Sequence, residues 1–149
     1  MARYFELQGG SVGLAWMWNL DGAIGPNCSN VWDDVLLFQC LFNGVAPSLD
    51  KLVDPRTKRP WVGYLVRDGI FGGNTKAAIT AFQGSVTARG KYVKADGRLD
   101  PSSADGWNPT GQYTIVYLNR DYRDIQGRML LEEDCPPRLR AKLTGKRRA

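Results

Sequence analysis

The sequence predicts a mainly α domain in which three helices form the core, preceded by an extended N-terminal arm or hairpin and followed by a C-terminal extension. Three runs carry that prediction. Val35, Phe38, Leu41 and Phe42 form the first, Thr75, Ala78, Ile79 and Phe82 the second, and Ile115, Leu118 and Tyr122 the third. Each recurs at steps of three and four residues, the spacing that lines one face of an α-helix. A chain of 149 residues that is 43% apolar and 23% charged suits one domain with one core.

In chain order, residues 4–25 alternate aromatic and aliphatic residues with glycines, as in Ser11-Val12-Gly13-Leu14-Ala15-Trp16-Met17-Trp18. They turn at Asn19-Leu20-Asp21-Gly22, which reads as a short hairpin or extended arm. The polar stretch 25–34 offers Asn30 or Asp33 as the cap of a helix that begins near Asp34, runs over 34–43 and stops at Asn43-Gly44. Residues 45–67 contain Pro47, Pro55 and Pro60 and are expected to form a long loop with room for one helical turn at Ser48 to Val53. Trp61, Val62, Tyr64 and Leu65 then bring the chain back to the core.

Asp68-Gly69-Ile70-Phe71-Gly72-Gly73 is a glycine-spaced turn that opens the second helix, expected to end near Gly84 or Ser85. A second Asp-Gly turn, Asp96-Gly97-Arg98-Leu99-Asp100-Pro101, leads through Trp107-Asn108-Pro109 into a third helix over 111–124. Beyond Gly127, Met129, Leu130, Leu131, Leu139 and Leu143 around Pro136-Pro137 predict a short packed segment and then a last amphipathic turn.

The formal charge of +5 is a property of one end. Residues 138–149 hold six of the 20 basic residues and no acid, leaving 14 basic against 15 acidic in the rest. A basic tail on a nearly neutral body argues against a nucleic-acid groove, so no specific nucleic acid is expected as a partner. Cys28, Cys40 and Cys135 follow no metal-like spacing and there is no histidine, so no metal and no cofactor are expected. One disulfide is compatible with three cysteines. Cys40 lies on an apolar helix face, which favours a buried free thiol there, and the redox state of Cys28 and Cys135 stays open. The N-terminus lacks the continuous apolar stretch of a signal peptide, and no run approaches the ~20 apolar residues of a membrane helix. The expectation is synthesis in the cytoplasm and no membrane partner.

Two Asp-Gly turns bracketing a helix that ends in Phe-Gln form a recognisable pattern. Asp68-Gly69-Ile70-Phe71-Gly72, followed by Thr75, Ala78, Ile79, Phe82 and Gln83 and then by Asp96-Gly97, resembles the peptidoglycan-binding-like repeat appended to many bacterial and phage cell-wall hydrolases. Val35, Phe38-Gln39 and Leu41-Phe42-Asn43 are similar to that family's first helix, and Ile24-Gly25 to Asn30 resembles its leader. The resemblance spans about residues 24–120. It implies a three-helix peptidoglycan-binding-like core over 24–124, flanked by an N-terminal arm at 1–23 and a C-terminal extension with the basic tail at 125–149. The chain departs from the pattern in the length of the 44–67 loop and in Asp100-Pro101-Ser102-Ser103, where Trp107 stands in for an expected tryptophan.

Chemistry narrows the choice. Without histidine, the imidazole ligands of cell-wall amidases and metallopeptidases and the base of thiol peptidases are missing. A glycosidase needs two carboxyls in different environments. Of the three glutamates Glu6, Glu132 and Glu133, the last two sit in an acidic run beside Pro136 that reads as solvated charge. Gly69-Ile70-Phe71-Gly72-Gly73 lacks the Lys-Ser/Thr of a phosphate loop. The expected function is therefore non-catalytic binding of cell-wall peptidoglycan, through its glycan or stem peptide, with no catalytic residues. The protein would reach the envelope by lysis, in a phage particle or through a secretion machine.

An alternative is an adaptor that reuses the fold for contacts with a phage or secretion structural protein, and a second alternative is a cell-wall hydrolase. The candidate ligand contacts are Asp68, Gly69, Phe71, Gln83, Arg98 and Trp107, a set combining polar, cationic and aromatic groups. Phe71 and Trp107 also match buried spacing, and Asp68 also suits a turn cap.

Overall fold

Residues Trp32–Val45 form helix α1, and its side chains from Asp33 to Phe42 are all buried, together with Val45. A helix covered on all sides belongs at the centre of a domain. The computed structural model describes residues 2–8, 13–109 and 111–135. Ahead of α1 lie strands β1 (Arg3–Glu6) and β2 (Trp16–Asn19), and a 3-10 turn at Ala46–Ser48 follows it. Then come β3 (Val53–Asp54), β4 (Arg59–Pro60), helix α2 (Gly73–Ala88), β5 (Trp107–Asn108), β6 (Gly111–Gln112), helix α3 (Thr114–Gln126) and a second 3-10 turn at Glu132–Asp134.

The architecture is a mixed α/β one, which corrects the mainly α three-helix bundle expected from the sequence. Three helices, with 38% of the described residues helical, are joined by three antiparallel two-stranded sheets, β1–β2, β3–β4 and β5–β6. Nor do the helices pack as a bundle: α3 lies along α1, whereas the main neighbour of α2 is β3. The physical reason is the length of the strands. Pairing two to four residues needs only a turn and leaves no hydrophobic period to read.

The loop expected between helices one and two folds back on itself as β3–β4, with Val53 opposite Pro60 and Asp54 opposite Arg59. Its helical turn sits at Ala46–Ser48 rather than at Ser48 to Val53. Residues 111 and 112, expected in helix three, pair instead with Asn108 and Trp107. The cap of α1 differs as well. Val31 holds that position without a side-chain bond. Asn30, at φ 49°, closes its own loop by accepting the Gly25 amide at 2.8 Å. Asp33 and Asp34 lie inside the first turn, where the helix dipole favours a carboxylate. The last amphipathic turn at 138–143 and the basic tail lie outside the described residues.

The β1–β2 hairpin places Tyr4 opposite Trp18 and Glu6 opposite Trp16. Trp18 is buried and its indole N–H donates to the Leu130 carbonyl at 2.8 Å, tying the N-terminal hairpin to the segment that follows α3. Ile24 and Leu99 form a further antiparallel bridge, so the leader segment runs beside the second Asp-Gly turn. No helix among the described residues is long and apolar enough to cross a membrane.

Side-chain amides do the fastening that long sheets do elsewhere. Asn19 accepts the Ser102 amide at 2.8 Å and donates to its carbonyl at 3.0 Å. Asn43 treats Leu65 the same way, at 2.8 and 2.9 Å. Asn119 accepts from the Trp18 amide at 3.0 Å and donates to the Trp18 carbonyl at 2.9 Å. Each reproduces the two bonds of a ladder pair with a side chain, satisfying buried main-chain groups that would otherwise cost ~1–3 kcal/mol apiece.

Candidate functional site

Both Asp-Gly turns are built on the same plan. At the first, Gln39 of α1 accepts the amides of Asp68 and Gly69 at 3.1 and 2.9 Å through Oε1. Its Nε2 donates to Asp68 Oδ1 at 3.2 Å and to Thr75 Oγ1 at 3.2 Å. At the second, Gln83 of α2 accepts the Gly97 amide at 2.9 Å, and its Nε2 donates to Asp96 Oδ1 at 3.3 Å, the Arg98 carbonyl at 2.9 Å and Thr114 Oγ1 at 3.4 Å. The aspartates close their own turns: Asp68 Oδ1 accepts from the Ile70 amide at 2.9 Å and Asp96 Oδ1 from the Arg98 amide at 3.0 Å. Gly69 has φ +71°, and the Trp32 indole lies where its Cβ would be, so both conformation and space require glycine.

The six predicted contacts therefore separate. Gln83 is 0% exposed and fully engaged in holding its turn, so it has no face for a ligand. Gly69 is buried, Phe71 is half-buried and packs against the core, and Asp68 is exposed at the first turn. Arg98 and Trp107 are exposed near the second turn. Asp68 borders a cavity of about 150 Å³ with Gln39, Val66, Ile70 and Asn74. Arg98 borders a different one, of about 310 Å³, with Lys94, Asp96, Asp100, Asn108 and Tyr113. The structure brings Arg98 to the Gln83 turn and leaves Asp68, Gly69 and Phe71 at the other turn, and Arg98 and Asp68 border two separate hollows.

The larger of these two hollows has the more varied polar lining. One wall is the second Asp-Gly turn, and the other is the β5–β6 hairpin with Gln112, followed by Tyr113 and Thr114 at the start of α3. Arg98 Nε donates to Asp100 Oδ1 at 2.7 Å, an exposed ion pair that keeps both charges at the rim. Asp105 shapes the hairpin from outside by accepting the Trp107 amide at 3.0 Å and the Ser103 hydroxyl at 2.9 Å, and those bonds, the Trp107 amide first, hold its carboxyl below the usual carboxylate range. Trp107 is 41% exposed on the hairpin but does not line the hollow; its neighbours Asn108 and Pro109 do. Sequence reasoning missed Lys94, Asp100, Asn108, Gln112 and Tyr113. The signal that points to them is the repeated unit of helix, Asp-Gly turn and threonine, whose second copy ends at this hairpin.

A second surface feature lies in the long loop. Val62, Tyr64 and Val66 are 89%, 72% and 71% exposed, and Ile70 is exposed beyond them. Of the four residues expected to return the chain to the core, Leu65 is buried and Trp61 half-buried, whereas Val62 and Tyr64 face outward. Asn43 fixes this alternation by gripping Leu65, because neighbours on either side of an extended residue point the opposite way. No family model, no curated protein and no solved structure matches this chain.

Proposed function

We propose that the chain is a non-catalytic module that binds bacterial cell-wall peptidoglycan in the hollow between the second Asp-Gly turn and the β5–β6 hairpin. The observation that carries this reading is the lining of that hollow: within about 310 Å³ it offers cations (Lys94, Arg98), carboxylates (Asp96, Asp100), amides (Asn108, Gln112) and an aromatic ring, Tyr113. A stem peptide presents carboxylates, amines and amides, and a glycan presents hydroxyls with an apolar sugar face, so both find partners there. The resemblance of the Phe-Gln and Asp-Gly pattern to peptidoglycan-binding-like repeats supports the same choice.

Sedimentation with insoluble sacculi tests it. The wild-type chain should co-sediment, and Arg98→Ala and Asn108→Ala should each weaken retention at unchanged thermal stability. Failure of the wild type to sediment overturns the reading, and clearing of sacculi in a zymogram overturns its non-catalytic half.

A second reading, an adaptor that contacts a structural protein of a phage or secretion assembly, is favoured by the exposed row Val62, Tyr64, Val66 and Ile70. Clustered apolar exposure of this kind marks protein contact surfaces more often than sugar sites.

A further inference from the structure

Cys40 sits in the middle of α1, and Cys135 directly follows the last 3-10 turn. Both are buried, each about 4% exposed, and the fold brings them together across nearly the whole sequence. The side chains of Cys40 and Cys135 lie within reach of each other. Arg67 joins the two sides: its Nη1 donates to the Asp134 carbonyl at 3.0 Å, next to Cys135, and its guanidinium also reaches Cys40. Cys40 borders a cavity of about 430 Å³ together with Tyr64, Arg67, Tyr122 and Asp134, the residue before Cys135, which gives a small reagent a route to the Cys40 thiol. Cys28 is elsewhere, with its sulfur 3.5 Å from the Pro26 carbonyl.

The two thiols are not equivalent. Contact with Cys135, helped by the charge of Arg67, lowers the pKa of the Cys40 thiol, whereas that same contact and burial push Cys135 up. Cys40 is the more readily ionised thiol of the two.

From this juxtaposition we propose that Cys40 and Cys135 form a reversible dithiol–disulfide pair, closed by a small-molecule disulfide such as oxidised glutathione, that locks the 127–135 segment onto α1. Cys40 gives its proton to solvent and its thiolate attacks one sulfur of the reagent, releasing the first small thiol. Cys135 then attacks the Cys40 sulfur of the mixed disulfide, and its proton leaves with the second small thiol. Two protein S–H bonds and one reagent S–S bond become one protein S–S bond and two reagent thiols, so the protein loses two electrons and the reagent gains them. The open form holds the same segment through weaker contacts, the Arg67–Asp134 bond at 3.0 Å and the Trp18–Leu130 bond.

The experiment equilibrates the full-length chain in buffers of increasing oxidised-to-reduced glutathione ratio, quenches with acid, alkylates and maps the peptides by mass. Cys40 and Cys135 should become protected together as one cross-linked peptide two hydrogens lighter, Cys28 should stay alkylatable, and reduced glutathione should reverse the change. The closed form should also melt higher, by about 5 °C or more, because the bond closes a long loop. In Cys135→Ser, which keeps a hydroxyl donor but cannot resolve, glutathione should remain trapped on Cys40. Three alkylatable thiols at the most oxidising ratio, a bridge that includes Cys28, or a persistent glutathione adduct on the wild-type chain would overturn the proposal.

Discussion

One edge of the Tyr122 ring abuts α1 at Gly44, so close that a Cβ on Gly44 would fall inside its van der Waals envelope. This contact sets the approach of α3 to α1, the closest helix pair among the described residues. Tyr122 is otherwise anchored, with its hydroxyl donating to Asp134 Oδ2 at 3.3 Å, and burial together with the Asp134 charge pushes the pKa of its phenol up.

Gly44→Ala is therefore expected to lose about 1–3 kcal/mol of unfolding free energy, the usual cost of overpacking a close contact, although alanine has the better helix propensity. Urea denaturation measures it. Adding Tyr122→Leu should recover part of the loss; a Gly44→Ala protein as stable as wild type would show that the ring can move aside.

Replacing Gln83 by leucine leaves the Gly97 amide and the Arg98 carbonyl without their buried partner, and Gln39→Leu does the same at the first turn. Each is expected to cost about 1–3 kcal/mol per orphaned group, read from the denaturant midpoint. The two losses should be similar if the turns are held by the same plan. A Gln83→Leu protein of full stability that no longer sedimented with sacculi would instead make Gln83 a ligand contact.

Asn43→Ala should act locally. It frees the Leu65 main chain, and amide hydrogen exchange at Leu65 should accelerate by at least about tenfold while global stability falls by about 1–2 kcal/mol. Unchanged exchange at Leu65 would mean that packing of its side chain, not the amide, holds the loop.

Acid should loosen the C-terminal segment. The Arg128 guanidinium, donating to Asp134 at 2.6 and 3.1 Å, holds that carboxyl below its ordinary value of 3.8. A depressed folded value contributes stability above the ordinary one, and that stability is lost as pH falls through the folded value. Asp54, held down by Arg56, adds to the same trend. Asp34 opposes it: burial raises its carboxyl, so ionisation costs stability as pH climbs above the ordinary value, and the cost disappears in acid. Asp134→Asn should flatten the acid limb of a stability–pH curve measured between about pH 2 and 6. An unchanged limb would assign it to other carboxyls.

The helices were legible in the sequence because each buries a face that repeats every three to four residues; α1, α2 and α3 all contain the apolar runs that predict them. Their ends were not. Gly73, Gly111 and Gln112 carry no apolar period, and whether they join a helix or a hairpin depends on the partner main chain the fold delivers. The strands escaped for the same reason, since Val53-Asp54 and Gly111-Gln112 are too short to show alternation. At the candidate site, Arg98 and Trp107 could be placed near the second turn from spacing alone. Gln83 misled because a polar side chain beside a turn looks available until the turn is seen to close over it. Cys135 pairs with Cys40 only once Gly127 has turned the chain back, at φ +77°, beyond α3.

The two-point grip of Asn43 on Leu65, and of Gln39 on the turn after it, has a consequence for how the chain can vary. A ladder of many residues fixes register, so an inserted residue displaces everything downstream of it. A single amide fixes one residue and is indifferent to how much chain separates it from the next. A foreign peptide carried at the tip of the β3–β4 turn, between Thr57 and Lys58, would leave both anchors in place, which makes that tip the natural splice point for displaying new sequence on this scaffold.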